Sequence, residues 1–143
     1  MKIINKKANY QYKLENKRFE AGIALSGGEV KAVRNGRGDI SQSYAKVLNG
    51  EIYLINANLP VLGAKASPTR SRKLLLHKNE IVSILTKAKQ QKLTLIPTKL
   101  YTKGRLIKAE LALGKSKKKY EKRESIKKKD IERQIEQEFR IKL

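Results

Sequence analysis

The chain has 143 residues with 34 Lys or Arg against 13 Asp or Glu, which gives a formal net charge of +21. A folded domain this basic repels itself unless it meets a polyanion, and nucleic acid is favoured over an anionic membrane surface. The chain has no cysteine, which excludes disulfides, thiolate metal sites and cysteine nucleophiles, and fits the cytoplasmic location that we expect. No apolar run is long enough to span a membrane, and an apolar content of 39% is enough for the core of one domain.

The N-terminal part predicts two strands and one short helix. Residues 1–8 are polar and basic, and we expect them to fray. Residues 10–25 predict two strands joined by a turn at residues 16–17. Ser26 and Glu29 have the S-x-x-E spacing of a capping box, in which each side chain bonds the other residue's backbone amide, so a helix of about two turns is predicted to start here.

The middle of the chain contains the strongest short-range signal. Asn-Gly at residues 49–50 lies between apolar runs at 43–48 and 51–56. Both central residues of a type I′ turn need positive φ, and Asn-Gly tolerates it, so a β-hairpin is predicted. Residues 60–68 predict a loop, and residues 73–76 predict a short strand.

The next segment predicts one helix and two strands. Asn79 is the predicted N-cap of a helix that runs to about Gln91, with apolar residues at helical spacing. Residues 93–101 and 106–113 predict two strands around a tight turn that contains Gly104. Strands that follow one another predict a mainly β fold, an OB-fold-like closed antiparallel β-barrel with two or three accessory helices.

The composition divides the chain into a predicted barrel domain at 1–114 and a basic C-terminal tail at 115–143. The tail holds 12 basic and 6 acidic residues, a balance typical of disordered segments. Ile131, Ile135 and Phe139 recur every four residues, which gives one narrow apolar stripe. A stripe this thin does not hold a helix together in water. We therefore expect a tail that is disordered when free and folds as a helix when it docks.

The residue types needed for catalysis or metal binding are scarce. His77 is the single histidine, no nucleophile motif accompanies it, and without cysteines it cannot form a two-histidine metal site. The glycines at 27–28 and 36–38 match neither a phosphate loop nor a dinucleotide fingerprint. Most carboxylates adjoin Lys or Arg, which favours surface ion pairs over an acid and base couple. We expect a protein that is not an enzyme and needs no metal or cofactor.

The chain resembles the SsrA-binding protein (small protein B) family in five stretches. They are NKKANYQY (5–12), FEAGIALSGGEVKAVRNGRGDISQSYA (19–45), SPTRSRKLLLHKNEI (67–81), LTLIPTKLY (93–101) and ELALGKSKKKYEKRESIK (110–127). The stretches follow the family order and cover nearly the whole chain. The resemblance implies an OB-like antiparallel barrel with accessory helices and a tail that is unstructured in the free protein. The patterns above lead independently to a barrel.

The resemblance also implies an RNA-binding adaptor of trans-translation. Family members bind the tRNA-like domain of transfer-messenger RNA and carry it into stalled bacterial ribosomes for rescue and peptide tagging. The implied partners are transfer-messenger RNA, the small-subunit decoding centre and, indirectly, elongation factor Tu with the alanyl-tRNA-like complex. We expect a monomer that binds no membrane. The alternative is a generic OB-fold translation factor or ribosomal protein that binds structured RNA.

Three residues match family positions linked to RNA binding: Glu29 in GGEVK, and Leu75 and His77 in KLLLHK. Each has a structural alternative, since Glu29 could only complete the capping box, Leu75 could lie in the core, and His77 could be a surface or cap residue. In a strand, Leu75 faces away from Leu74 and Leu76, so at least one leucine is expected on the less buried face. The cations near this segment are candidates for phosphate contacts: Lys31, Arg34, Arg37, Arg70, Arg72 and Lys73.

The resemblance implies a second, ribosome-binding site in the tail, which senses the empty decoding centre and mRNA channel. The matching residues are Lys117, Lys118, Lys119, Tyr120, Glu121, Lys122 and Arg123, and the stripe of Ile131, Ile135 and Phe139 is expected to help a tail helix settle in the channel. The sequence departs from the family pattern in three places. Glu121 replaces the usual Asp, Ser67 stands where Asp usually precedes P-T-R, and the loop at 59–66 is shorter than in many members.

Overall fold

The structure of the chain is a computed structural model, and it describes residues 2–61, 63 and 67–117. Within these ranges, the chain forms seven strands and three helices. The strands are β1 (Lys2–Ile4), β2 (Tyr12–Ile23), β3 (Tyr44–Leu48), β4 (Glu51–Ile55), β5 (Arg72–Leu75), β6 (Thr94–Lys103) and β7 (Leu106–Ser116). The helices are α1 (Ala8–Gln11), α2 (Gly27–Arg34) and α3 (Lys78–Gln91).

Strands β2 to β7 form a closed ring. Hydrogen-bonded neighbours follow the order β6, β3, β4, β5, β2 and β7, and β7 pairs again with β6. These pairings are antiparallel, and β1 adds to β6 farther along the same strand than β3 does. Because the ring is closed, its strands leave no unpaired edge with which another chain could pair. The prediction of a mainly β, closed antiparallel barrel with accessory helices is confirmed.

The core fills the ring and extends under the two longer helices. On β4, Ile52 and Leu54 are fully buried while the residues between and beside them are partly exposed, which is the period-two pattern of a strand with one face inside. Val33 of α2 and Ile84 of α3 belong to the same cluster of buried side chains. The helices therefore cover the barrel with their apolar faces and leave its other outward surfaces to solvent.

The N-terminal segment differs from its prediction. Residues 2–4 form β1 against β6, Ile3 is buried, and the side-chain amide of Asn5 donates to the carbonyl of Pro97 at 2.9 Å. The prediction of a frayed start was wrong because one buried apolar side chain and a strand pairing outweigh the polar composition around them. Residues 8–11, partly predicted as strand, form the single turn of α1.

Strand β2 is continuous where two strands were predicted. It has 12 residues, and its pairing with β7 changes register between Leu14 and Arg18. The expected turn at residues 16–17 is therefore an irregularity inside one strand. Strand β7 is 11 residues long and pairs with β2 on both sides of this point, so the chain bulges and continues instead of turning back.

Helix α3 begins two residues earlier than predicted. Its N-cap is His77 rather than Asn79, with an extended backbone (φ −66°, ψ 146°) and no hydrogen bond from the side chain to the helix end. Strand β5 ends at Leu75, so two residues suffice to pass from strand to helix. The predicted end at Gln91 is confirmed.

The hairpin and the first predicted helix are confirmed. Strands β3 and β4 pair around Asn49 and Gly50, whose φ angles of 52° and 78° are both positive, as a type I′ turn requires. At the start of α2, the Ser26 amide donates to Glu29 Oε1 at 2.9 Å, and the Glu29 amide donates to Ser26 Oγ at 3.3 Å. Both halves of the capping box are therefore present.

The described part of the chain ends just beyond β7. Ser116 still pairs with Tyr12, and the amide of Lys117 donates to the carbonyl of Gln11 at 3.0 Å. The backbone therefore remains attached to the barrel past residue 114. The predictions for residues 118–143, including disorder when free and helix formation on docking, lie outside the described residues and stay predictions.

Candidate RNA-binding surface

The segment KLLLHK carries an apolar side chain to the barrel surface. Leu74 is 2% exposed, whereas Leu75, the next residue on β5, is 56% exposed. Leu75 pairs with Gly22 of β2, where an added Cβ would lie 3.3 Å from the Leu75 Cβ. A side chain at position 22 would crowd Leu75, so this glycine lets the leucine rest on the outer face of β2. The expectation that the leucine run divides between core and surface is confirmed.

Leu75 and His77 line the same open groove. The groove has a volume of about 710 Å³, within the range of sites that hold small organic groups. It is bounded by β5, by the first turn of α3 and by outward residues of β2, β4 and β7. The lining residues are Glu20, Gly22, Gly50, Glu51, Lys73, Leu74, Leu75, Leu76, His77, Lys78, Glu80, Ile81 and Lys108. An apolar floor with charged walls suits an unstacked base and its phosphates.

Lys73 reaches this groove as part of a fixed polar cluster. Its Nζ lies 3.0 Å from Glu51 Oε1, and the hydroxyl of Tyr53 donates to Glu51 Oε2 at 2.8 Å. The hydrogen bond from Lys73 and that from Tyr53 lower the pKa of Glu51, and the same contacts raise the pKa of Lys73 and of Tyr53. All three side chains are partly exposed, so the cluster is ordered yet open to a ligand.

Glu29 joins α2 to β5 through two arginines. Glu29 is 3% exposed and Arg72 is fully buried. Arg72 Nε donates to Glu29 Oε2 at 2.6 Å, and Arg70 Nη2 donates to Glu29 Oε1, which also accepts the Ser26 amide. Burial alone would raise the pKa of Glu29, but the hydrogen bonds from Ser26, Arg70 and Arg72 lower it to about 2. The carboxylate is therefore ionised throughout the neutral range and both of its oxygens are occupied.

Arg72 is the residue whose predicted role the structure corrects. A phosphate contact requires an accessible guanidinium, and this one is fully buried. Besides Glu29, its nitrogens donate to the carbonyls of Ala57 at 2.7 Å, Pro68 at 2.8 Å and Arg70 at 3.0 Å. Arg72 thus fixes the loop before β5 and the base of α2 from inside. Sequence proximity to Arg70 suggested a shared surface, but Arg70 precedes β5, whereas Arg72 is its first residue and shares the inward face with Leu74.

The structure separates the other predicted cations into two groups. Lys31 and Arg37 are exposed and line a depression of about 260 Å³ between α2 and residues 60–61, while Lys73 lies in the groove. Arg34 is exposed too, and its Nη2 donates to the carbonyl of Arg105 at 3.3 Å. Lys31 and Arg37 therefore line a different hollow from the one that holds Leu75 and His77.

Several groove residues were missed from the sequence. Lys108 and Glu20 enter because β7 and β2 pair with Gly22 opposite Lys108, a register that no local pattern reveals. Glu51 could have been found, because the Asn-Gly hairpin fixes the register of β4 and thereby which of its side chains face outward.

Of the predicted tail residues, the structure describes Lys117. Its Nζ donates to the carbonyl of Asn9 at 2.6 Å, which ties the start of the tail to α1. The remaining tail predictions, from Lys118 through Arg123 and at Ile131, Ile135 and Phe139, lie outside the described residues.

Within residues 2–61, 63 and 67–117, no helix has the length and apolar character needed to cross a membrane. The same ranges contain no group of three or more His, Asp or Glu residues that could hold a metal ion.

Comparison with known proteins finds relatives that match nearly the whole chain. The model of the family described as "SmpB protein" matches residues 2–141. An SsrA-binding protein of Dehalococcoides mccartyi is 42% identical over 142 residues, covering 96% of this chain and 82% of the relative. An SsrA-binding protein of Geobacillus thermodenitrificans is 44% identical over 140 residues, covering 95% of this chain and 90% of the relative.

A solved structure agrees with the sequence relatives. It is described as "tmRNA-SmpB: a journey to the center of the bacterial ribosome", and it superimposes with a TM-score of 0.70 at 37% sequence identity. The match covers 87% of this chain and 94% of the solved chain. The family model spans nearly the whole sequence, and the barrel is shared in three dimensions. The chain therefore belongs to the SmpB family of SsrA-binding proteins.

Proposed function

We propose that the chain is an RNA-binding adaptor of trans-translation. It binds the tRNA-like domain of transfer-messenger RNA (SsrA, or tmRNA) and delivers that RNA to stalled bacterial ribosomes for rescue and peptide tagging. Family membership over residues 2–141 is the observation that carries this proposal. Its relatives are SsrA-binding proteins, and the solved neighbour is described with tmRNA and the bacterial ribosome. Work on the ribosome implies a cytoplasmic protein.

The groove on β5 is the proposed contact with the tRNA-like domain. Leu75 offers an exposed apolar side chain, and His77 beside it offers a ring that can stack or hydrogen-bond with an unstacked base. Lys73 and Lys108 on the walls supply positive charge for phosphates. The activity is binding and delivery, so the barrel contributes shape and charge and performs no reaction.

Glu29 and Arg72 support this contact from behind the surface. Their buried ion pair fixes α2 against the start of β5, the strand that carries Leu75. Arg70, which is about one-third exposed, pairs with the same carboxylate and keeps part of its guanidinium accessible. We propose that Arg70, Lys31, Arg34 and Arg37 contact phosphates, while Glu29 acts by holding the framework.

The tail is the proposed ribosome-binding part. Residues 115–143 are proposed to enter the empty decoding centre and mRNA channel, with basic residues on RNA and the apolar stripe inside a helix formed there. Elongation factor Tu, bound to the alanylated tRNA-like RNA, is then an indirect partner. Because the proposed binding sites lie in separate parts of the chain, one small protein can bind tmRNA and the ribosome at the same time.

A gel-shift comparison tests the proposal. The wild-type protein is expected to bind the tRNA-like domain far more tightly than an unrelated stem-loop of equal length, with an affinity that falls steeply with salt. Equal affinity for both RNAs would contradict the proposal and favour a generic OB-fold binder of structured RNA.

Matched variants of exposed apolar residues test the groove in the same assay. Leu75→Ala is expected to weaken binding to the tRNA-like domain by about tenfold, because an apolar platform for a base is worth roughly 1–3 kcal/mol. Ile4→Ala is the control, since Ile4 is 51% exposed but lies on β1, which pairs with β6 and contributes no residue to the groove. Equal losses for both variants would argue against a specific role of Leu75.

A further inference from the structure

Three outward-facing side chains form a row across β3, β4 and β5. Lys46 is directly opposite Tyr53, and Tyr53 is directly opposite Lys73. Ile52 and Leu54, the neighbours of Tyr53 on β4, are fully buried, so the tyrosine faces out of the barrel. Directly opposed residues on neighbouring strands have Cβ atoms about 5 Å apart. One aromatic ring therefore has a lysine on each side.

A single carboxylate holds two members of this row in place. The Tyr53 hydroxyl donates to Glu51 Oε2 at 2.8 Å, and Lys73 Nζ lies 3.0 Å from Glu51 Oε1. Tyr53 is half-buried and the Lys73 side chain is 44% exposed, so the contact does not remove either from solvent. The bond at the hydroxyl restrains the ring before any ligand arrives, which lowers the entropic cost of binding.

The row has the composition of a single-stranded nucleic acid platform. Such platforms combine an aromatic ring, on which a base stacks, with cations that track the backbone on either side. Lys46 is exposed, and Glu51 and Lys73 also line the groove that contains Leu75, so the row extends that groove onto β4 and β3. Its chemistry matches an unpaired nucleotide with phosphates on both sides.

We propose that Tyr53 stacks on an unpaired base of bound RNA while Lys46 and Lys73 contact the flanking phosphates. This goes beyond the proposed function, because a stacking platform acts on any unpaired RNA segment that reaches β4, whichever RNA molecule carries it. Glu51 is a positioning residue in this site, since it orients Tyr53 and Lys73 and does not itself contact the RNA.

The test uses a 12-nucleotide unstructured single-stranded RNA that carries one 2-aminopurine, titrated with full-length protein. Tyr53→Leu is expected to weaken binding by about tenfold, the loss typical of one stacked base, and to abolish the fluorescence change of the 2-aminopurine. Tyr53→Phe keeps the ring and is expected to retain most of the affinity. Wild-type affinity in Tyr53→Leu would overturn the proposal.

Two controls separate stacking from charge and from folding. Lys46→Gln is expected to reduce the slope of log K against log salt by about 0.7, the share of one phosphate on a single strand, whereas Tyr53→Leu leaves the slope unchanged. Tyr12→Leu is the matched tyrosine control, because Tyr12 is partly exposed like Tyr53 but lies opposite Ser116, at the other end of β2 from Gly22 and outside the groove. A loss in Tyr12→Leu equal to that in Tyr53→Leu would overturn the proposal.

The result is distinguishable from failure of the proposed function. If the protein did not prefer the tRNA-like domain but Tyr53→Leu still lost single-stranded binding, the stacking proposal would be supported and the adaptor role would be refuted. If the protein preferred the tRNA-like domain and Tyr53→Leu bound both RNAs with wild-type affinity, only the stacking proposal would be refuted.

Discussion

Arg72 contributes more to the stability of the fold than a single exposed cation can. It is fully buried, pairs with Glu29 and bonds three backbone carbonyls that belong to the loop before β5. Removing one partner of a buried ion pair leaves the other charge without compensation, which is far more costly than losing an exposed pair. Arg72 therefore determines how rigidly β5, the strand that carries Leu75, is held.

The first prediction follows from this burial. Arg72→Met is expected to lower the free energy of unfolding by about 3–5 kcal/mol, because Glu29 and three carbonyls lose their donor. Arg70→Met is the control, since the Arg70 side chain is 36% exposed, and it is expected to cost only about 1 kcal/mol. Urea denaturation measures both, and similar losses in the two variants would contradict the assigned roles.

Glu29 gives a second prediction through pH. Its pKa in the folded protein is about 2, below the ordinary value of 4.5, so its contribution to stability is present above pH 4.5 and is lost as the pH falls towards 2. The free energy of unfolding of the wild type relative to Glu29→Gln is expected to shrink by about 2 kcal/mol between pH 5 and pH 3.

This comparison isolates Glu29 from the other acids. Glu20, Asp39 and Glu51 also have lowered pKa values, and they contribute equally to the wild type and to the variant. Urea denaturation at each pH supplies the two curves. Parallel curves from pH 5 to pH 3 would mean that the carboxylate of Glu29 is not stabilised by its partners.

At the scale of elements, the β3–β4 hairpin controls the row that contains Tyr53. The turn fixes the register of the two strands, and a slip of one residue would turn every side chain of β4 to the other face. Gly50 has φ of +78°, a conformation that a residue with a Cβ adopts only with strain. The turn residue thus decides which side chains of β4 reach the proposed RNA-binding surface.

Two glycine substitutions test the role of positive φ, because they are expected to change the stability of the fold in opposite directions. Gly50→Ala is expected to destabilise the fold by about 1 kcal/mol, because of its positive φ. Gly27→Ala lies in the first turn of α2 with nothing within 4 Å of the added Cβ, and it is expected to stabilise by about 0.5 kcal/mol through the lower entropy of the unfolded chain. Thermal unfolding measures both, and equal shifts would refute the argument from φ.

At the scale of the whole molecule, the start of the proposed tail is attached to the barrel. Ser116 pairs with Tyr12, and Lys117 bonds the backbone of Asn9 and Gln11, so a cut before these residues would disturb β7 and α1. Deleting residues 118–143 preserves every contact described here and removes most of the proposed ribosome-binding part.

The corresponding prediction concerns function. The protein without residues 118–143 is expected to bind the tRNA-like domain within about twofold of the full chain, at a salt concentration where the lost charge is screened. Peptide tagging on stalled ribosomes is expected to disappear. Tagging at the full-length level by the shortened protein would show that the tail is not needed on the ribosome.

Local patterns predicted much of this fold because the decisive interactions were local. The capping box at Ser26 and Glu29 and the turn at Asn49 and Gly50 involve residues no more than three positions apart, where sequence and geometry are tightly linked. The predictions failed where contacts with residues far away in the chain determine the local structure. The fraying predicted for residues 1–8 was overturned by β6, and the turn predicted at residues 16–17 was overturned by the length of β7.

By itself, the sequence determined a basic, cysteine-free, mainly β chain and favoured a polyanionic partner, because charge, composition and period-two patterns do not depend on the final packing. Only the tertiary structure decided which of these side chains are buried and which are exposed. It buried Arg72 against Glu29, left Leu75 exposed over Gly22, and aligned Lys46, Tyr53 and Lys73 across three strands. These outcomes depend on the register between strands, which barrel closure sets through contacts between residues far apart in the chain.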